Sequence, residues 1–115
     1  MSKIGIIGLG KIGSSLAFEF LFDKNIEEIH LYNRNKSKLE ALITSLKIAS
    51  HQVNKNTLVS EIDFNRVNEL DLIIIAIKDN YDPRLLLTTN SYPKWLPKNL
   101  RYSGLPLDFP LIFVF

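Results

Sequence analysis

The chain of 115 residues contains no cysteine, one methionine, one tryptophan and two histidines. Disulfides, thiolate nucleophiles and cysteine metal ligands are therefore excluded. His30 and His51 come with neither metal-ligand spacing nor a paired carboxylate. His30 is expected to be a partly buried strand residue and His51 a surface loop residue, so no metal site and no general base is assigned. Excess charge is also lacking: a formal net charge of +2, with lysines scattered along the chain, gives no footprint for nucleic acid or a membrane surface. Long apolar runs are missing too. Leu72 to Ile77 and Pro110 to Phe115 reach about a third of the roughly 20 residues that a membrane-spanning helix needs. Met1-Ser2-Lys3 leads directly into a strand pattern rather than a signal peptide, and the expected location is cytoplasmic.

What is present has the size and composition of one soluble domain, with 46% hydrophobic and 23% charged residues. That length supports a core but is short for an enzyme that must hold both a cofactor and a substrate. Ile4, Ile6 and Ile7 form a β-branched run ending at Gly8, read as a first strand. From Lys11, Ile12, Leu16 and Phe20 recur at helical spacing to about Phe22. Ile26 to Tyr32 reads as the second strand, and Ser37 is expected to cap a second helix carrying Leu39, Leu42, Ile43 and Leu46, with Glu40 as a capping-box partner. That helix is expected to fade near Ser50. His51 to Asn56 reads as a loop, Thr57 to Ile62 as a third strand and Phe64 to Leu70 as a short helical turn. Leu72 to Ile77 does not alternate, which predicts a parallel strand covered on both faces. Beyond Arg84, Pro93, Pro97, Pro106 and Pro110 break the chain into short pieces, with one helical turn expected over Leu85 to Thr89 and a last strand over Leu111 to Phe115. The order β-α-β-α-β-β predicts an α/β, Rossmann-type, doubly wound parallel sheet, cut off after its first half. The whole of 1–115 is taken as one NAD(P)-binding domain, well patterned over 1–90 and irregular over 91–115.

Gly8-Leu9-Gly10-Lys11-Ile12-Gly13 is a G-x-G-x-x-G sequence placed after a strand and opening a helix, the context that gives this motif its meaning. Gly8 permits a tight turn, Gly10 lets backbone approach a diphosphate, and Gly13 lets the helix pack on the strand. The helix then directs unpaired N–H groups and a positive dipole end at the anion. Gly8, Gly10, Lys11, Ile12 and Gly13 are therefore assigned to a nicotinamide dinucleotide, with Ala76 and Ile77 at the end of the fourth strand. An acidic residue usually receives the adenosine ribose about twenty residues beyond such a loop. Asn33 and Arg34 stand there instead. A carboxylate would repel a 2′-phosphate, whereas neutral Asn33 tolerates it and the Arg34 guanidinium can bind it, with Lys38 as a second cation. NADP is expected ahead of NAD.

The stretch KIGIIGLGKIGSSLAFEFLFDKNIEEIHLYNRN, Lys3 to Asn35, resembles the N-terminal domain of the lactate and malate dehydrogenase family, and the likeness continues through Leu39 to Ile77 to cover about the first 90 positions. The resemblance implies hydride transfer to or from a small 2-oxo or 2-hydroxy acid. It places Arg84 where that family polarises the substrate carbonyl and Asn90 beside the cofactor. The loop 78–83 is shorter than in the family, and the family's histidine and aspartate that pass the proton have no counterpart. Asn33-Arg34-Asn35-Lys36-Ser37 also resembles NADP-dependent reductases such as pyrroline-5-carboxylate reductase. A third reading is a nucleotide-binding module without catalysis. A dinucleotide lies across two β-α-β halves. Only one half is certain in the sequence, which leaves room for a homodimer bordering the nicotinamide end.

Overall fold

A computed structural model of the chain describes residues 2–76 and the strand backbone of 111–113. Five strands, β1 (Ser2–Ile7), β2 (Ile26–Tyr32), β3 (Leu58–Glu61), β4 (Leu72–Ile75) and β5 (Leu111–Phe113), form one sheet in the order β3-β2-β1-β4-β5. Every pairing is parallel. Two helices, α1 (Lys11–Leu21) and α2 (Lys36–Gln52), make the first two crossovers, and a 3₁₀ segment (Phe64–Glu69) makes the third. The expected α/β parallel sheet is thus the observed one, and β5 falls within the run expected as the last strand.

Side chains alternate across the sheet, which divides the residues between its two faces. Ile4, Ile6, Ile29, Leu31, Val59 and Ile74 join Ala17 and Leu21 of α1 and Leu39 and Leu46 of α2 in one buried cluster. Burying a leucine or isoleucine there contributes about 1.5–3 kcal/mol each. On the other face, Leu70, which follows the 3₁₀ segment, and Ile62 reach Gly5 of β1. A Cβ added to Gly5 would meet Leu70 Cδ1 at 2.8 Å, so the bare strand position is what lets this cover approach. Among the described residues the two long helices share one side of the sheet.

Several boundaries differ from the sequence expectation. The cap of α2 is Asn35, whose Oδ1 accepts from the Lys38 amide at 3.2 Å, and not Ser37. Asn and Ser cap about equally well, so residue type could not separate two positions this close. Ser37 lies inside the first turn, and Glu40 makes no capping-box bond. The helix also runs past Ser50 to Gln52, placing exposed His51 on a helix rather than in a loop. It ends where Asn54 takes φ 53°. Lys55 N–H donates to Ser50 O at 2.9 Å and Asn54 N–H to His51 O at 3.2 Å, the double bond pattern of a Schellman stop. Strand β3 begins at Leu58 rather than Thr57, and α1 ends at Leu21.

Candidate functional site

At the carboxyl end of β1 the chain turns at Gly8 with φ 96°, a conformation that L side chains rarely adopt. A Cβ on Gly13 would stand 1.9 Å from Gly8 O and 3.6 Å from Ala76 Cβ, so this glycine seats α1 against the turn and against the end of β4. Among the described residues, a Cβ on Gly10 would meet nothing within 4 Å. Gly8 thus serves the turn and Gly13 the packing that their spacing predicts. Gly10 is also the N-cap of α1, and no side chain caps that helix. The first helical amides have no intrahelical partner and remain available to an anion. Gly10, Lys11 and Ile12 are exposed, whereas Gly8, Leu9 and Gly13 are buried.

Strand order places this turn at a switch point. From β1 the chain winds outward through β2 and β3 on one side, and β4 and β5 lie on the other. In open α/β sheets the crevice beyond the strand ends at such a point is where ligands bind. The Ala76 amide donates to Ile7 O at 2.8 Å and the Gly8 amide to Tyr32 O at 2.9 Å, which ties the ends of β4, β1 and β2 into one rim.

Asn33 has a role that its sequence position did not disclose. Its Oδ1 accepts from the Leu9 amide at 3.2 Å and its Nδ2 donates to Asn35 O at 3.4 Å, bracing the glycine turn against the turn after β2. Ser14 adds a second brace, its hydroxyl donating to Leu9 O at 3.1 Å. Arg34 and Lys38 are exposed, and among the described residues neither enters an ion pair. Lys36 is engaged differently: it pairs with Glu61 and lies 5.4 Å from the centroid of Tyr32, whose ring meets Phe64 edge-on at 5.2 Å. Neither α1 nor α2 has an acidic residue in its first turn. The rim therefore combines the uncapped N-terminus of α1, and that of α2 capped by Asn35, with Lys11, Arg34 and Lys38 and no acidic residue in either first turn, an electrostatic setting suited to phosphate groups.

Ile77, Arg84 and Asn90 lie outside the described residues, as do the loop 78–83 and the turn expected over Leu85 to Thr89. Among the described residues no group of histidines and acids could hold a metal ion. No helix there is long and apolar enough to cross a membrane.

Comparison with known proteins places this geometry. Among solved structures, two lactate dehydrogenases share the fold. A lactate dehydrogenase from a Medee basin deep-sea metagenome library has a TM-score of 0.72 at 19% identity, covering 97% of this chain and 37% of that one. The minor L-lactate dehydrogenase of Enterococcus mundtii has a TM-score of 0.68 at 24% identity, covering 97% and 36%. At such identities the resemblance to lactate dehydrogenases is one of architecture. The glutamyl-tRNA reductase of Sulfolobus acidocaldarius is 36% identical over 85 residues, which is 74% of this chain and 18% of that protein. This chain thus spans under a fifth of that curated relative and somewhat over a third of the two structures. The Shikimate / quinate 5-dehydrogenase family matches over residues 1–95, from β1 through β4 and beyond. Given a family match across most of its length and a glycine turn at the switch point, the chain belongs to the shikimate/quinate 5-dehydrogenase family, as an NAD(P)-binding domain of the Rossmann type.

Proposed function

We propose that this domain holds NADP(H) for hydride transfer to or from a small oxo or hydroxy acid, the substrate being bound partly by groups beyond the first crossovers. The observation that carries the reading is the division of labour among the glycines. Gly8 and Gly13 are required by the backbone and by packing, whereas among the described residues the space over Gly10 serves no contact. Open space beside unpaired helix amides is what a diphosphate needs. The diphosphate would rest on the amides of Gly10 to Gly13, with Ala76 and Ile77 bordering the nicotinamide half.

NADP is preferred to NAD on charge. A neutral Asn33, already bonded to the Leu9 amide, leaves no carboxylate to repel a 2′-phosphate, and Arg34 and Lys38 stand exposed beside it. Nicotinamide is the redox group when the cofactor is bound. This chain's own part is to bind the diphosphate, exclude a carboxylate from the adenosine end and fix the turn.

Arg84 as a carbonyl-polarising residue, Asn90 beside the cofactor, a 2-oxo acid substrate of the lactate or malate kind, a homodimer and a cytoplasmic location belong to the same proposal, on the strength of the sequence resemblance. A second reading is favoured by the 36% identity to glutamyl-tRNA reductase. In it the domain serves a reductase whose substrate is an activated carboxyl group rather than a ketone. Titration of the purified chain with NADPH and NADH, followed by nicotinamide fluorescence, tests the shared part of both readings. NADPH is expected to bind the more tightly, and absence of binding by either cofactor would remove both. Turnover with 2-oxo acids, shikimate and an activated glutamyl ester then separates them.

A further inference from the structure

On the sheet face opposite α1 and α2, four polar side chains are strung across three neighbouring strands. Lys3 Nζ lies 3.4 Å from Glu28 Oε2, Glu28 Oε1 lies 2.8 Å from His30 Nε2, and His30 Nδ1 lies 3.1 Å from Ser60 Oγ. Lys3 is the register partner of Glu28, and His30 that of Ser60, so the string is fixed by the ladder itself. An ionised carboxylate can only accept hydrogen bonds. The proton of a neutral His30 ring therefore belongs on Nε2, facing Glu28, and the Nδ1 lone pair faces the Ser60 hydroxyl. Hydroxyl, base and orienting acid then stand in the order that activates a nucleophile.

These residues line a cleft of about 340 Å³ together with Leu58, Leu70 and Arg66. That is room for a small ligand. His30 and Glu28 are 17% and 23% exposed, enough shelter to hold their geometry and enough opening to be reached. Neither takes part in the dinucleotide rim.

We propose that Ser60 is an acyl-accepting nucleophile toward small activated esters bound in this cleft, with His30 as its base and Glu28 as a positioning residue. Ser60 Oγ bonds to the ester carbonyl carbon while its proton passes to His30 Nδ1. The carbon–oxygen bond to the leaving group then breaks, and the departing aryloxide takes the proton from the imidazolium, leaving acyl-Ser60 and a neutral ring. Lys3 and Arg66 also line the cleft, where Lys3 is paired with Glu28 and Arg66 with Glu69, so a transient oxyanion there would have to compete with those carboxylates.

The test uses p-nitrophenyl acetate and the full chain, reading p-nitrophenolate release and mapping the acetyl group by peptide mass. Acetylation is expected at Ser60 and absent there in Ser60→Ala. His30→Gln should slow it about 10²-fold, the usual worth of a general base. Glu28→Gln can donate to Nε2, which puts the ring proton on Nδ1, so the rate should drop while the fold is kept. Should Ser60→Ala not fold, Ser60→Cys replaces it, with acetylation expected at the same position. Acetyl groups confined to lysines and the amino terminus, or wild-type rates in folded Ser60→Ala, overturn the proposal.

Discussion

The carbonyl oxygen of Gly8 occupies the place where a side chain on Gly13 would have to begin, 1.9 Å from an ideal Cβ. The obstacle is backbone rather than the end of a flexible side chain, so it cannot move aside without shifting either α1 or the turn. Of the two glycines, Gly13 is therefore required by the protein's own backbone, whereas among the described residues Gly10 is crowded by nothing.

This separates Gly13→Ala from Gly10→Ala. Gly13→Ala should cost about 1–3 kcal/mol of stability, as overpacking does, with cofactor affinity lost alongside. Gly10 is extended, at φ −77° and ψ −158°, and a methyl group there touches nothing among the described residues. Gly10→Ala should melt within about 0.5 kcal/mol of wild type while NADPH binding weakens. Thermal melts and fluorescence titrations of both variants check the pair, and equal stability loss in the two would refute the division.

Cofactor choice should turn on charge at the end of β2. Asn33→Asp keeps an oxygen that can accept from the Leu9 amide but sets a carboxylate beside the expected 2′-phosphate. Selectivity should move toward NADH with little change in stability. Arg34→Ala should weaken NADPH by about 10- to 100-fold, corresponding to about 1.5–3 kcal/mol for a hydrogen bond to a charged group, and leave NADH nearly untouched. Asn33→Ala is different in kind: it strands the buried Leu9 amide, at a cost of about 1–3 kcal/mol before any cofactor is added.

Much of this arrangement was legible in the sequence because its signals are local. The β-branched runs at Ile4 to Ile7 and Leu72 to Ile77, and the glycine spacing between them, each encode one backbone demand. The signals that failed to separate depend on which of two similar residues reaches a given amide. Asn35 and Ser37 compete for one cap, and only the position of the first helical turn decides between them. The bond from Asn33 to Leu9, and the string from Lys3 to Ser60, join residues that meet only after strand order and register are set.

Asn54 illustrates the same point at the other end of α2. Its φ of 53° closes the helix with two backbone bonds. Asn54→Gly should be neutral or slightly stabilising, since glycine enters this region freely, whereas Asn54→Val should cost about 1–2 kcal/mol for forcing a branched side chain into it. Denaturant midpoints at constant slope would register both. Destabilisation by glycine would mean that the asparagine side chain, rather than the turn, matters.

Acid stability should depend on Glu28. The hydrogen bond to His30, helped by Lys3 and opposed by burial, holds this carboxyl below its ordinary 4.5. Between the folded and unfolded values the unfolded chain binds more protons, so stability rises with pH across that window. The contribution is complete above about pH 4.5 and is lost as pH falls through the folded value. Glu28→Gln should therefore flatten the acid limb of a stability-against-pH curve while leaving its shape at higher pH unaltered. An acid limb identical to wild type would mean that the carboxylate gains nothing from His30 in the folded chain. It would also remove the fixed acceptor on which the orientation of that ring toward Ser60 depends.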